Sequence, residues 1–263
     1  MVRERLAHVQ FRGTIRERSV EPFTRMLKAI RERGRFRGVL LDISSGGGEA
    51  VASMDLYLAI KRLDQVKPVV ASIGSMGASG AYMAALGARR IFAYPESNVG
   101  SIGVVFPHIA VQELLRRVGV SVELLHAGRH KDAYQGLRPL SEEERAKLTA
   151  VVHQDYDAFV KMVALERKQP VEKIQELATG EFWTGARARE LGLVDDLGDR
   201  EMALEALAQM TGIPARKTID VAPPRPFLER LFSGGFLMMG DRLSASVRTS
   251  LEDLIFESGT YRR

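Results

Sequence analysis

Residues 69–81 read Val69-Val70-Ala71-Ser72-Ile73-Gly74-Ser75-Met76-Gly77-Ala78-Ser79-Gly80-Ala81, and an earlier stretch, Val39-Leu40-Leu41-Asp42-Ile43-Ser44-Ser45-Gly46-Gly47-Gly48, has the same form. Each is a short apolar run that stops at glycine and small polar residues, the pattern of a strand buried on both faces and closed by a tight turn. Between them Val51, Met54 and Leu58 recur at helical spacing until Lys67-Pro68 ends the run. Strand, helix and strand in this order form the unit of an α/β fold. The span from Pro68 to Ala88 carries no charge and is long enough to cross a bilayer. Gly74, Gly77, Gly80 and Gly87 with Ser72, Ser75 and Ser79 make it too polar for that, so a strand, a glycine turn and a buried helix are expected instead.

Working outward, Val9 to Phe11 suggests a first strand, and Ser19 with Glu21 and Pro22 opens a helix to about Arg33. A helix beginning near Ala78, a strand Arg90 to Tyr94, a strand Val99 to Phe106, a helix from about Ile109 and a strand Val120 to His126 continue the alternation. Ser141 followed by Glu142, Glu143 and Glu144 resembles a capping box and predicts a long helix to about Lys168, with further helices and few strands behind it. The expected architecture is α/β, with stacked βα units, a mixed sheet and C-terminal helices. Residues 1–222 read as one domain. At Ala222-Pro223-Pro224-Arg225-Pro226 the composition changes, and 223–263 reads as a C-terminal tail.

Composition narrows the chemistry. At 263 residues, 45% hydrophobic and 27% charged, the chain has the apolar content to fold. The net charge of +5 is spread along the sequence, so no nucleic-acid partner is expected. Without cysteine there is no disulfide, thiolate metal site or cysteine nucleophile, and five scattered histidines without an HExxH spacing give no metal expectation. Neither GxGxxG nor GxxxxGK[ST] occurs, so no cofactor is expected. The N-terminal MVRERLAHVQ has charges where a signal peptide needs its apolar core. A cytoplasmic location, or one peripheral to the cytoplasmic membrane, is the expectation.

Glycine turns after strands are where α/β sheets hold ligands. Ser79 lies in the second such turn, and GxSxG is missed only because Ala81 replaces its last glycine. Alone, this string reads more readily as close packing of helix on sheet.

The remaining blocks change that balance. Leu41-Asp42-Ile43-Ser44-Ser45-Gly46-Gly47-Gly48, Lys67-Pro68-Val69-Val70-Ala71-Ser72 and Gly77-Ala78-Ser79-Gly80-Ala81-Tyr82-Met83-Ala84 follow one another in order. Val99-Gly100-Ser101-Ile102-Gly103-Val104, Gly128-Arg129-His130-Lys131-Asp132-Ala133 and Arg138-Pro139-Leu140-Ser141-Glu142-Glu143-Glu144-Arg145 come next. Trp183-Thr184-Gly185 and Gly192-Leu193-Val194-Asp195 close the series. Together they resemble the signal peptide peptidase A family of serine peptidases, which share the Clp protease and crotonase fold.

The resemblance implies Ser79 as nucleophile, Lys131 as general base and Ser101 as the serine that hydrogen-bonds the lysine. It implies an oxyanion hole from Gly80 N–H and the Gly47-Gly48 turn, with Gly46 standing where the family has proline. A lysine serves as base only when neutral, which burial away from carboxylates favours. If residues 128–133 are extended, Asp132 points away from the Lys131 amine. The resemblance further implies apolar, extended peptide substrates such as remnant signal peptides. It also implies a ring-like or dome-like homo-oligomer in which neighbouring subunits complete each site.

Two other classes stay open on the residues: a crotonase-like acyl-CoA enzyme, and a Ser-His-Asp protease or catalytically silent scaffold. Against the first stands the lack of carboxylates in the glycine turns other than Glu49. For the second, His108 and His126 are the central histidines. In the tail, Phe227, Leu228, Leu231, Phe232, Phe236, Leu237, Met238 and Met239 form an apolar cluster flanked by Arg225, Arg230 and Arg242. It reads as packing, as peripheral contact with an anionic membrane, or as a plug in the substrate groove.

Overall fold

The computed structural model describes residues 3–223. The apolar tail cluster lies outside the described residues. In chain order the elements begin β1 (Arg5–Arg12), α1 (Glu17–Glu32), β2 (Phe36–Ser45), α2 (Ala50–Asp64), β3 (Val69–Ala78), α3 (Gly80–Ala85), β4 (Arg90–Ala93) and β5 (Asn98–Gly100). They continue α4 (Gln112–Arg117), α5 (Glu142–Arg167), α6 (Val171–Leu177), β6 (Phe182–Thr184), α7 (Gly185–Glu190), β7 (Asp196–Leu197), α8 (Arg200–Thr211) and β8 (Thr218–Asp220). The architecture is mixed α/β.

Eight strands form one sheet in the order β6-β5-β3-β2-β1-β8, and β4 pairs with β3 and with β7. Every pairing is parallel except β5 with β6. Central strands are apolar on both faces because helices cover both. On one side Val9, Val39, Leu41, Val69, Ala71 and Ile73 share a core with buried residues of α1, α2, α3 and α5. On the other, Leu6, Leu40, Val70 and Phe92 pack against Ala203 and Leu207 of α8. The uncharged 68–88 span is a core strand and helix, and no described helix is long and apolar enough to cross a membrane.

β3 changes neighbour partway along. Its residues Val70–Ile73 pair with β4, and Met76–Ala78 pair with β5. Against β2 the register jumps from Ile43↔Ile73 to Ser45↔Gly77, an irregularity that accommodates two extra residues in β3. Gly77 fits there because a Cβ would meet Ile73 at 2.9 Å. The bend carries the end of β3 out beside β5, and Ser79 follows at once.

Four local expectations fail or are cut short. The strand foreseen over Val99–Phe106 stops at Gly100, where Gly100 (φ 103°) and Ser101 (φ 49°) turn the chain out of extended geometry. Val120 to His126 alternates like a strand but is unpaired among the described residues, and Val120, Val122 and Leu125 are exposed. Without a ladder neighbour, alternation alone does not hold a strand. Residues 128–133 are turns rather than extended chain, closed by Lys131 N–H to Gly128 O (3.1 Å) and Ala133 N–H to His130 O (3.3 Å). The foreseen helix from Ile109 is reduced to α4. By contrast the Ser141 capping box forms, with Ser141 Oγ accepting from Glu144 N–H at 3.3 Å.

Candidate active site

Ser79 is half-buried between the end of β3 and the first residue of α3. Its backbone has φ 52° and ψ −123°, a conformation that costs a non-glycine residue about 1–3 kcal/mol. Two bonds hold it there: Ser79 N–H donates to Gly100 O at 2.7 Å, and Met83 N–H donates to Ser79 O at 2.9 Å. A serine on a sharp strand-to-helix turn presents its hydroxyl at the strand end, the geometry of the nucleophile elbow in α/β-hydrolases.

The glycine turn after β2 lies against it. A Cβ on Gly47 (φ 93°) would stand 2.7 Å from Gly80 N and 2.9 Å from Ser79 Cβ, so only glycine fits this approach. Gly47 N–H itself donates to Ser45 Oγ at 3.1 Å. The resemblance offered Gly47 and Gly48 alike, and this bond leaves Gly48 as the available donor. Ile15 bridges this turn through Ile15 N–H to Gly47 O and Glu49 N–H to Ile15 O, each 2.9 Å. That leaves the intervening Gly48 N–H without a protein acceptor among the described residues, on the side away from Ile15. Gly80 begins α3, so its N–H has no carbonyl one turn behind to receive it. A Cβ on Gly80 would lie 3.5 Å from Gly48 N, which places the two free donors close together. Beneath them Ser53 would be struck at its Oγ by any side chain at Gly80.

Ser101 follows β5 as Ser79 follows β3. Its N–H donates to Glu181 O at 2.7 Å and its hydroxyl to Gly180 O at 3.1 Å. Lys131 is exposed, on the turn before α5, and no hydrogen bond or ion pair joins its amine to Ser79 or Ser101 within the chain. Thus the fold brings Ser79, Ser101, Gly47, Gly48 and Gly80 together, with no bond from Lys131 to either serine. Asp132 faces inward, buried, and bonds Arg138 Nε at 2.7 Å. The adjacent carboxylate is thus engaged by an ion pair, and the extended geometry that would separate the two side chains by alternation is absent.

Neither central histidine serves Ser79. His108 Nε2 lies 3.2 Å from Arg138 O, and His126 Nε2 is 3.7 Å from Asp132 Oδ1. Among the described residues no cluster of His, Asp and Glu is arranged to hold a metal. Sequence reasoning missed Ser45, Ser53 and the Gly180-Glu181 carbonyls. None has a motif spacing; Ser45 and the two carbonyls act through turns and Ser53 from α2, placements that only the fold reveals.

The family model of peptidase family S49 matches residues 61–213. The chain is 34% identical over 260 residues to a Synechocystis protein named "Putative protease", covering 98% of this chain and 94% of that one. It is 30% identical over 248 residues to the chloroplastic serine protease SPPA of Arabidopsis thaliana, covering 92% of this chain but 36% of the plant protein. It is also 30% identical over 223 residues to protease 4 of Salmonella typhi, covering 84% of this chain and 34% of that one. The chain thus spans nearly all of the cyanobacterial relative and about a third of the other two. It belongs to peptidase family S49, with the fold shared by Clp protease and crotonase.

Proposed function

We propose that this chain is a serine endopeptidase in which Ser79 is the nucleophile and Lys131 the general base. The observation that carries the reading is the strained Ser79 turn with two N–H groups, of Gly80 and Gly48, near each other beside it and unengaged among the described residues. In the reaction the neutral Lys131 amine accepts the Ser79 hydroxyl proton as Oγ attacks the scissile carbonyl. The carbonyl oxygen becomes an oxyanion held by the two N–H donors. The lysine ammonium then protonates the departing amine. Water, deprotonated by the same amine, hydrolyses the acyl-enzyme and regenerates Ser79. Ser101 orients the amine and transfers no proton.

Within one chain Lys131 is on the surface, so its approach to Ser79 belongs to an assembly. The segment that carries it exposes Val105, Phe106, Ile109, Val118 and Leu125, apolar side chains that a partner copy would cover. A second copy of this chain covers that segment in a ring or dome, and the copies share their catalytic groups. Apolar, extended peptides such as remnant signal peptides are the substrates. The arginine-flanked apolar tail adds a peripheral contact with the cytoplasmic membrane.

The test is hydrolysis of an internally quenched apolar peptide by the wild type and by Ser79→Ala. Loss of turnover with an unchanged circular dichroism spectrum supports the reading. Equal turnover by a freshly purified Ser79→Ala sinks it.

A further inference from the structure

Two guanidiniums tie the turn that bears Lys131 to α5: Arg129 donates to Glu143, and Arg138 reaches both Asp132 and Glu144. Arg138 Nε donates to Asp132 Oδ2 at 2.7 Å, while Nη1 and Nη2 donate to the two oxygens of Glu144 at 2.9 and 2.7 Å. Both carboxylates are buried, Asp132 at 6% exposure and Glu144 at 3%. Glu144 is in turn fixed at the start of α5, where Oε2 accepts from Ser141 N–H at 2.8 Å. This planar fork ties the buried Asp132 to the N-terminus of α5, a geometry that lysine cannot reproduce.

The consequence falls on the neighbouring residue. Asp132 adjoins Lys131, and a carboxylate within about 4–6 Å of an amine raises its pKa by about 1–3. Engaged by Arg138, that carboxylate is committed elsewhere. We propose that Arg138 is a positioning residue for the base: it anchors the turn on α5 and withholds Asp132 from the Lys131 amine. The proposal rests on the Ser-Lys reading given above for its relevance to catalysis, and on the ion cluster for its structure.

Other charged groups face the turn and stay the same in the comparison. His126 approaches Asp132 at 3.7 Å, and His130 approaches Glu144 at 3.5 Å. From α5, Lys147 Nζ contacts His130 Nε2 at 2.7 Å and Glu143 at 2.8 Å. None of these groups reaches both Asp132 and α5 as Arg138 does.

The experiment follows the Lys131 amine directly, by titrating the ε-carbon NMR signal of 13C-labelled lysine in the full chain, with Lys131→Arg identifying the resonance. In Arg138→Met the midpoint should rise by about 1 pH unit or more, and the activity limb should move with it. In Arg138→Met/Asp132→Asn it should return to the wild-type position. Should Arg138→Met fail to fold, Arg138→Lys and Arg138→Lys/Asp132→Asn carry the same comparison, with a smaller rise. A Lys131 midpoint that is unmoved in the single variant, or unrestored in the double, overturns the proposal. Hydrolysis retained by Lys131→Arg would instead sink the Ser-Lys reading, and the amine titration would remain readable.

Discussion

Ser79 and Ser101 stand side by side, each one residue beyond the register pair Ala78↔Gly100, and both have a positive φ, 52° and 49°. Two adjacent parallel strands thus end in the same unusual way, and Ser79 N–H bonds the carbonyl of Gly100 between them. Strain of this kind persists only where the surroundings impose it. Here the β3 bend, the β5 pairing and the Glu181 carbonyl impose it, which couples the placement of the two hydroxyls.

The strain predicts a divergence between stability and activity at residue 79. Ser79→Gly relieves the backbone cost, offset in part by the about 0.5–1 kcal/mol of extra chain entropy glycine loses on folding. The variant should be inactive and about 1 kcal/mol more stable than the wild type in urea unfolding. A less stable Ser79→Gly would show that the turn is not strained.

In the glycine turn after β2, neighbouring positions should respond oppositely to alanine. Gly46 is exposed, lacks a left-handed φ, and a Cβ there would meet only Met76 Sδ at 3.5 Å. Gly46→Ala should keep activity and gain about 0.4–1 kcal/mol by restricting the unfolded chain. Gly47→Ala would drive its Cβ to 2.7 Å from Gly80 N and should lower kcat about 100-fold or more by displacing an oxyanion donor. Parallel peptide hydrolysis and thermal melts separate the two effects.

How much of this was legible in the sequence depends on whether a residue acts through its neighbours in the chain or across the sheet. Val39–Ile43 and Val69–Ile73 announce buried strands because burial on both faces leaves only apolar residues in them. Ser141 and Glu144 announce a helix start because the cap closes over three residues. Val120–His126 misleads because its alternation has no ladder partner among the described residues. Residues 128–133 are turns and not extended chain, and the Asp132 carboxylate is engaged by Arg138, whose reach across the turn has no sequence periodicity. That Gly47 spends its N–H on Ser45, leaving Gly48, follows from turn geometry alone.

Shared sites predict complementation. Ser79→Ala and Lys131→Arg should each be inactive, the latter because guanidinium stays protonated and cannot accept the serine proton. Mixed during refolding, the two variants should recover a fraction of wild-type turnover, since a lysine from one copy can serve the serine of the other. Mixtures as inactive as their components would place the dyad within one chain. His108→Ala should retain activity, and Ser101→Ala should weaken turnover without removing it.

A pH effect on stability is expected far from the site. His8 Nε2 lies 3.9 Å from Asp42, and Nδ1 bonds Asp220 at 2.6 Å, joining β1, β2 and β8. Asp42 raises the imidazole above its ordinary 6.5 against the opposing effect of burial, and Asp220 adds to the rise. The folded pKa exceeds the unfolded one, so this contribution is complete below about 6.5 and is lost as pH climbs through the raised value. His8→Gln should cost about 1–3 kcal/mol at acid pH and less above that window, read from melts across pH. A constant penalty at every pH would exclude a protonated His8.

The most direct measurement of the central claim is covalent labelling with a fluorophosphonate, followed by mass mapping of the digested chain. The account predicts one adduct, on Ser79, absent from Ser79→Ala and strongly slowed in Lys131→Arg, where no neutral amine activates the hydroxyl. An adduct on any other residue, or equal labelling of Ser79→Ala, would contradict it.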